Sequence, residues 1–175
     1  MNYTIKNNTN KSMSTLHNMV DAYFPYAQKQ MGFDIPVTII FKSDLENAEK
    51  PLGKTAYYSP ADYTVVLSTD NRHPKDIMRS LSHELVHHKQ NCNGGLSGLT
   101  GEQGYAQTEA GFKIEEEAYS LGSTCFRNWE DSVKNQLNET SYNTPKEDKK
   151  MKLTKTQLRE MIREGVKKAV ARQTE

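Results

Sequence analysis

The chain has little with which to build a disulfide scaffold or a membrane protein. Only two of its 175 residues are cysteine, Cys92 and Cys125, and no signal-peptide pattern opens it. Reduced thiols in a cytoplasmic setting are therefore the expectation. No run is apolar enough to span a bilayer. The hydrophobic fraction is 35% and the mean hydropathy −0.83, which predicts a modest core with polar ends. Histidine is scarce and unevenly placed: His17, His73, His83, His87 and His88 are all there are, and none follows residue 88.

Charge divides the chain. Residues 1–143 carry 13 Lys and Arg against 17 Asp and Glu, a net of −4, whereas residues 144–175 carry 10 against 5, a net of +5. The length suits one domain plus a tail, and the charge break marks the C-terminal piece as a separate unit.

What is present is concentrated at residues 83–87, where His83-Glu84-Leu85-Val86-His87 spells H-E-x-x-H. Residues four apart share a helix face, so His83 and His87 can hold one ion together, with Glu84 placed to take a proton from an activated water. The surroundings predict a helix over 74–91. Pro74 suits its first position, and Ile77, Leu81 and Leu85 form an apolar stripe that leaves both histidines to the side. The motif is the working core of zinc peptidases.

A catalytic zinc site takes three protein ligands and keeps one open position. No histidine follows His88, and Gln90 and Asn93 stand where a metzincin needs Gly and His. A peptide deformylase needs an upstream cysteine, but the first here is Cys92. A downstream carboxylate remains, and Glu115-Glu116-Glu117-Ala118-Tyr119-Ser120-Leu121-Gly122 supplies one. The segment resembles the second signature of gluzincin-type peptidases, E-x-x-A-[D/N]-x-x-[G/A]. Carried over, Glu115 is the ligand and Ala118 and Gly122 are the small packing residues. Tyr119 departs from the pattern, which has Asp or Asn there to orient a histidine ligand. Three adjacent residues on a helix point about 100° apart. Phase favours Glu115, in line with Ala118, Gly122, Phe126, Trp129 and Val133, and leaves Glu116 as the fallback.

More widely, LSHELVHHKQN followed by EEEAYSLGSTCFRNWED resembles small H-E-x-x-H peptidase-like proteins of tailed bacteriophages. LTKTQLREMIREGVKK resembles a helical tail that recurs on phage proteins. The resemblance implies a zincin-like fold and a role in virion assembly or host takeover, with a setting in the host cytoplasm or on a virion.

The expected fold class is α+β: a minimal zincin-like domain over 1–137, a linker over 138–152 and an amphipathic helix over 153–172. Within the domain, residues 1–12 read as loose. A helix over 13–31 is expected to be kinked or split at Pro25 and stopped by Gly32. Strands are expected over 35–41, 55–58 and 63–68, with a polar loop over 43–53. The glycine-rich stretch 92–111 reads as a loop, and a carboxylate-bearing helix as 112–137. The segment 62–68 is the expected edge strand beside the cleft, where a peptide can add by backbone hydrogen bonds, with Tyr57 and Tyr58 nearby.

In the tail, Thr154 and Gln157 form a capping box, and Leu153 and Leu158 a hydrophobic staple. Leu158, Met161, Ile162, Val166, Ala169 and Val170 make its apolar stripe. It suits docking to a protein partner, packing on its own domain, or contact with nucleic acid or membrane; Glu160 and Glu164 dilute the basic face and weigh against the last.

The leading functional expectation is a zinc-dependent endopeptidase with one Zn2+ per chain, acting on a peptide or protein. His83, His87 and Glu115 are its ligands and Glu84 its general base. His88, Tyr105 and Tyr119 are candidates for supporting a ligand or the oxyanion, with a supporting or surface role favoured for His88. The alternative is a non-catalytic phage virion or assembly protein of zincin fold that docks through residues 153–172.

Overall fold

A computed structural model describes residues 2–51, 53–97 and 108–143, with side chains to 136. The chain divides into two units, Met1–Gln136 and Leu137–Glu175. Tyr105 and the tail helix over 153–172 lie outside the described residues.

The first unit is α+β. In chain order the described elements are β1 (Tyr3–Asn8), α1 (Ser14–Met31), β2 (Val37–Lys42), α2 (Leu45–Ala48), β3 (Ala56–Ser59), β4 (Thr64–Ser68), α3 (Pro74–Cys92) and α4 (Glu109–Asn143), the last running past Gln136. The four strands form one mixed sheet in the order β1-β2-β4-β3; β1, β2 and β4 are parallel, and β3 runs antiparallel to β4.

Period-two alternation sets the sheet's inner face. Register places Ile5, Ile39, Val65 and Tyr58 in one row, and Asn7, Phe41, Leu67 and Ala56 in the next. Against these rows pack Val20, Tyr23, Phe24 and Ala27 of α1 and Ile77, Met78, Leu81 and Leu85 of α3, all buried. Truncating one of the large aliphatic members to Ala costs about 2–5 kcal/mol, so this layer is what holds α3 in place.

Four expectations need correction. Residues 3–8 are not loose: β1 pairs in parallel with β2, because Tyr3 and Ile5 supply just enough apolar surface once a neighbouring strand exists. Pro25 does not split α1, which is continuous from Ser14 to Met31. Pro25 lies on the solvent side between buried Phe24 and Ala27, so packing holds both flanks while water can reach the carbonyl that the missing N–H leaves free. Within 43–53, Asp44 caps the short helix α2 by accepting from the Asn47 backbone N–H. Finally, residues 62–68 are not an edge: β4 is flanked on both sides, and the edge strands are β1 and β3.

Gly32 ends α1 in the left-handed conformation, as its position predicts. The carboxylate helix begins earlier than expected, since the Thr108 hydroxyl accepts from the Gly111 N–H, and it continues to Asn143, into the stretch read as linker.

Candidate metal centre

Helices α3 and α4 pack antiparallel, and three tie points show it. Near one end, Lys75 pairs with Glu130 at 2.6 Å. In the middle, the Ser82 hydroxyl donates to the Gly122 carbonyl at 2.7 Å. At the other end, the Gln90 amide donates to the Ile114 carbonyl at 3.0 Å. Gly122 is required at the crossing: a Cβ there would lie 3.1 Å from both the Cα and the N of His83. Ser82 is fully buried and its single proton is committed to Gly122, so the Tyr23 hydroxyl, 2.5 Å away, donates to Ser82 Oγ and ties α1 to the same crossing.

That close approach brings Glu115 to the histidine pair. His83 Nε2 lies 3.1 Å from His87 Nε2. The Glu115 carboxylate straddles them, one oxygen 3.4 Å from His83 Nε2 and the other 3.6 Å from His87 Nε2. Bonds of about 2.0–2.2 Å in tetrahedral array put ligand atoms about 3.3–3.6 Å apart, so the donor set fits one zinc-sized ion. Among the described residues, no other group of three His, Cys, Asp or Glu gathers its ligand atoms this way. Glu116 is exposed and away from the cluster.

Burial sets the electrostatics. It pushes His83 down to about 4, helped by His87, so this ring is neutral at pH 7. Burial also lowers His87. Neutral imidazoles are the form that ligates a metal. Glu84 is buried, and that burial, with the Glu115 charge beside it, pushes its carboxyl up to about 8. In the metal-free protein this carboxyl therefore holds its proton at pH 7.

The remaining expected site residues divide. Tyr119 sits against the metal-side histidine, its ring centroid 4.5 Å from that of His83, and is 67% exposed. His88 corrects the surface role allowed for it. It is completely buried on the sheet side of α3, donating from Nε2 to the Ile35 carbonyl at 2.8 Å and accepting at Nδ1 from the Tyr58 hydroxyl at 3.0 Å. It cannot serve an oxyanion in the α3–α4 cleft. Val133 is at the edge of the buried face rather than within it, 36% exposed.

Two residues with a place in the site escape sequence reasoning. Gln90 Oε1 lies 2.8 Å from His87 Nδ1, and Gln90 Nε2 donates to Glu117 Oε2 at 2.9 Å. Glu117 also binds Lys89, and these two partners hold its carboxyl below the usual carboxylate range. The one signal was helical spacing: Gln90 follows His87 by three, about one turn.

The free thiols are Cys92, half-buried, and Cys125, buried. No described helix is long and apolar enough to cross a membrane. No protein-family model, no curated protein and no solved structure matches the chain. The centre is therefore interpreted on its own geometry.

Proposed function

We propose that this chain is a zinc-dependent endopeptidase of minimal zincin type. The observation that carries the proposal is the convergence of His83, His87 and Glu115 at mutual separations of 3.1, 3.4 and 3.6 Å, with Glu84 of the same H-E-x-x-H helix buried beside them. The order of helix, mixed sheet, histidine helix and carboxylate helix supports the same reading.

Bound zinc supplies a Lewis acid that activates water and polarises the peptide carbonyl. His83 and His87 present Nε2, and Glu115 offers the anionic oxygen that offsets the ion's charge. Glu84 takes the proton released by the attacking water and hands it to the leaving amine nitrogen. Without metal this carboxyl holds a proton near neutrality, and a dication beside it would favour the ionised form that accepts one. The substrate is an extended peptide. Edge strand β3 leaves one side of its backbone open to such a segment, with exposed Tyr57 on it to meet side chains.

The test combines bound-zinc analysis with casein hydrolysis in the wild type, Glu84→Gln and Glu115→Gln. The expected result is one zinc per chain in the wild type, kept in an inactive Glu84→Gln and lost in Glu115→Gln. A wild type that takes up no zinc when supplied with it, or a Glu84→Gln variant that still hydrolyses casein, overturns the proposal.

A further inference from the structure

His87 can carry its single proton on either ring nitrogen, and only the form with Nε2 bare can ligate through that atom. The residues around it pull in opposite directions. At the Nε2 end, His83 Nε2 at 3.1 Å and a Glu115 oxygen at 3.6 Å draw the proton to the metal side. At the Nδ1 end stands Gln90, whose amide can in principle face either way.

Its other partners remove that freedom. The nitrogen end of Gln90 is flanked by two groups that only accept, the Ile114 carbonyl at 3.0 Å and Glu117 Oε2 at 2.9 Å. Glu117 is itself anchored by Lys89. A flipped amide would set its oxygen against both, so the NH2 faces them and Oε1 faces His87. Gln90 itself is almost fully buried.

We infer that Gln90 is a positioning residue whose one-way amide, locked by Glu117 and the Ile114 carbonyl, holds the His87 proton on Nδ1 and keeps Nε2 bare for a metal. It does from α3 what the Asp or Asn of the gluzincin pattern would do from position 119 of α4, where this chain has Tyr119. The consequence for zinc rests on the proposed metal centre; the tautomer does not.

The test uses the metal-free full-length protein, with long-range 1H–15N correlations of the histidine rings near neutral pH and His87 identified by its loss in His87→Asn. Zn2+ affinity is read by competition with a chromophoric chelator. The wild type is expected to show His87 protonated on Nδ1. In Gln90→Leu the proton moves toward Nε2, drawn by Glu115, and zinc affinity falls 10- to 100-fold. An Nε2-protonated His87 in the wild type overturns the inference, and that spectrum decides even if Gln90→Leu does not fold. A Gln90→Leu protein with unchanged tautomer and zinc affinity also overturns it. If the wild type shows the Nδ1–H tautomer but binds no zinc, the tautomer inference stands and the zinc reading falls.

Discussion

His87 and His88 are adjacent, both are buried on α3, and burial lowers the pKa of both, yet they serve different layers of the molecule. His88 faces the sheet, where Ile35 accepts from one nitrogen and Tyr58 donates to the other, and Asn91 in turn donates to the Tyr58 hydroxyl. These bonds put its proton on Nε2 and leave no ring nitrogen available. His87 faces α4 with the reverse assignment, proton on Nδ1 toward Gln90 and a bare Nε2 aimed at His83 and Glu115. Residue type, burial and lowered proton affinity are shared; the partners at each nitrogen separate a structural histidine from the proposed ligand.

Substitution sharpens this contrast most. His87→Asn is expected to take bound zinc from one per chain to none while leaving the fold intact. His88→Phe is expected to keep the zinc but lose about 1–3 kcal/mol of stability, because the Ile35 carbonyl and the Tyr58 hydroxyl are left without their partner in the interior. Elemental analysis and urea denaturation of the two variants measure both quantities. Loss of zinc in His88→Phe comparable to that in His87→Asn would break the distinction.

Proton linkage separates the metal-side face in a second way. His83, lowered to about 4 in the fold, binds fewer protons there than when unfolded, so metal-free stability rises with pH from about 4 to 6.5 on its account. Glu84, raised to about 8, behaves oppositely: the fold binds the extra proton, and stability falls as pH rises from about 4.5 to 8. The two oppose each other up to about pH 6.5, above which the Glu84 slope is left. Thermal melts of metal-free protein between pH 6.5 and 8 are expected to show declining stability, and Glu84→Gln to flatten the decline. Saturating zinc is expected to weaken the slope, since a nearby dication favours the ionised carboxylate. An unchanged slope in Glu84→Gln would mean that Glu84 is ionised in the fold.

What the sequence disclosed follows from the range of the interactions involved. The helix at 74–92 was legible because Pro74, the 77-81-85 stripe and the H-E-x-x-H spacing are all local. Glu115 was favoured over Glu116 by phase along a single helix, and the site places it so. The β1 strand was missed because Tyr3 and Ile5 have meaning only beside β2, more than thirty residues on. The identity of the edge strand was missed for the same reason: one strand's sequence does not say how many neighbours it will have. Gln90 was passed over because its role depends on Ile114 and Glu117, across the helix–helix interface. Tyr119 was named as a departure from a pattern and as a candidate support for a ligand or the oxyanion, but its contact with His83 required the close crossing that Gly122 permits.

Tyr119 supplies the smallest expected effect and the finest division within the metal-side face. Its ring packs on His83 while most of the residue stays in solvent, so the observed contribution is a wall for the imidazole made by aromatic carbon. Tyr119→Phe retains that wall and removes only the hydroxyl. Hydrolysis by this variant is expected to stay within about threefold of wild type, whereas loss of an oxyanion donor costs about 100- to 1000-fold in kcat. Steady-state kinetics on one peptide substrate separate these outcomes. A fall in kcat of the larger size with KM unchanged would place the hydroxyl at the developing oxyanion. That result would require the exposed side chain to swing inward over the cleft when substrate binds, turning a wall of the site into part of its chemistry.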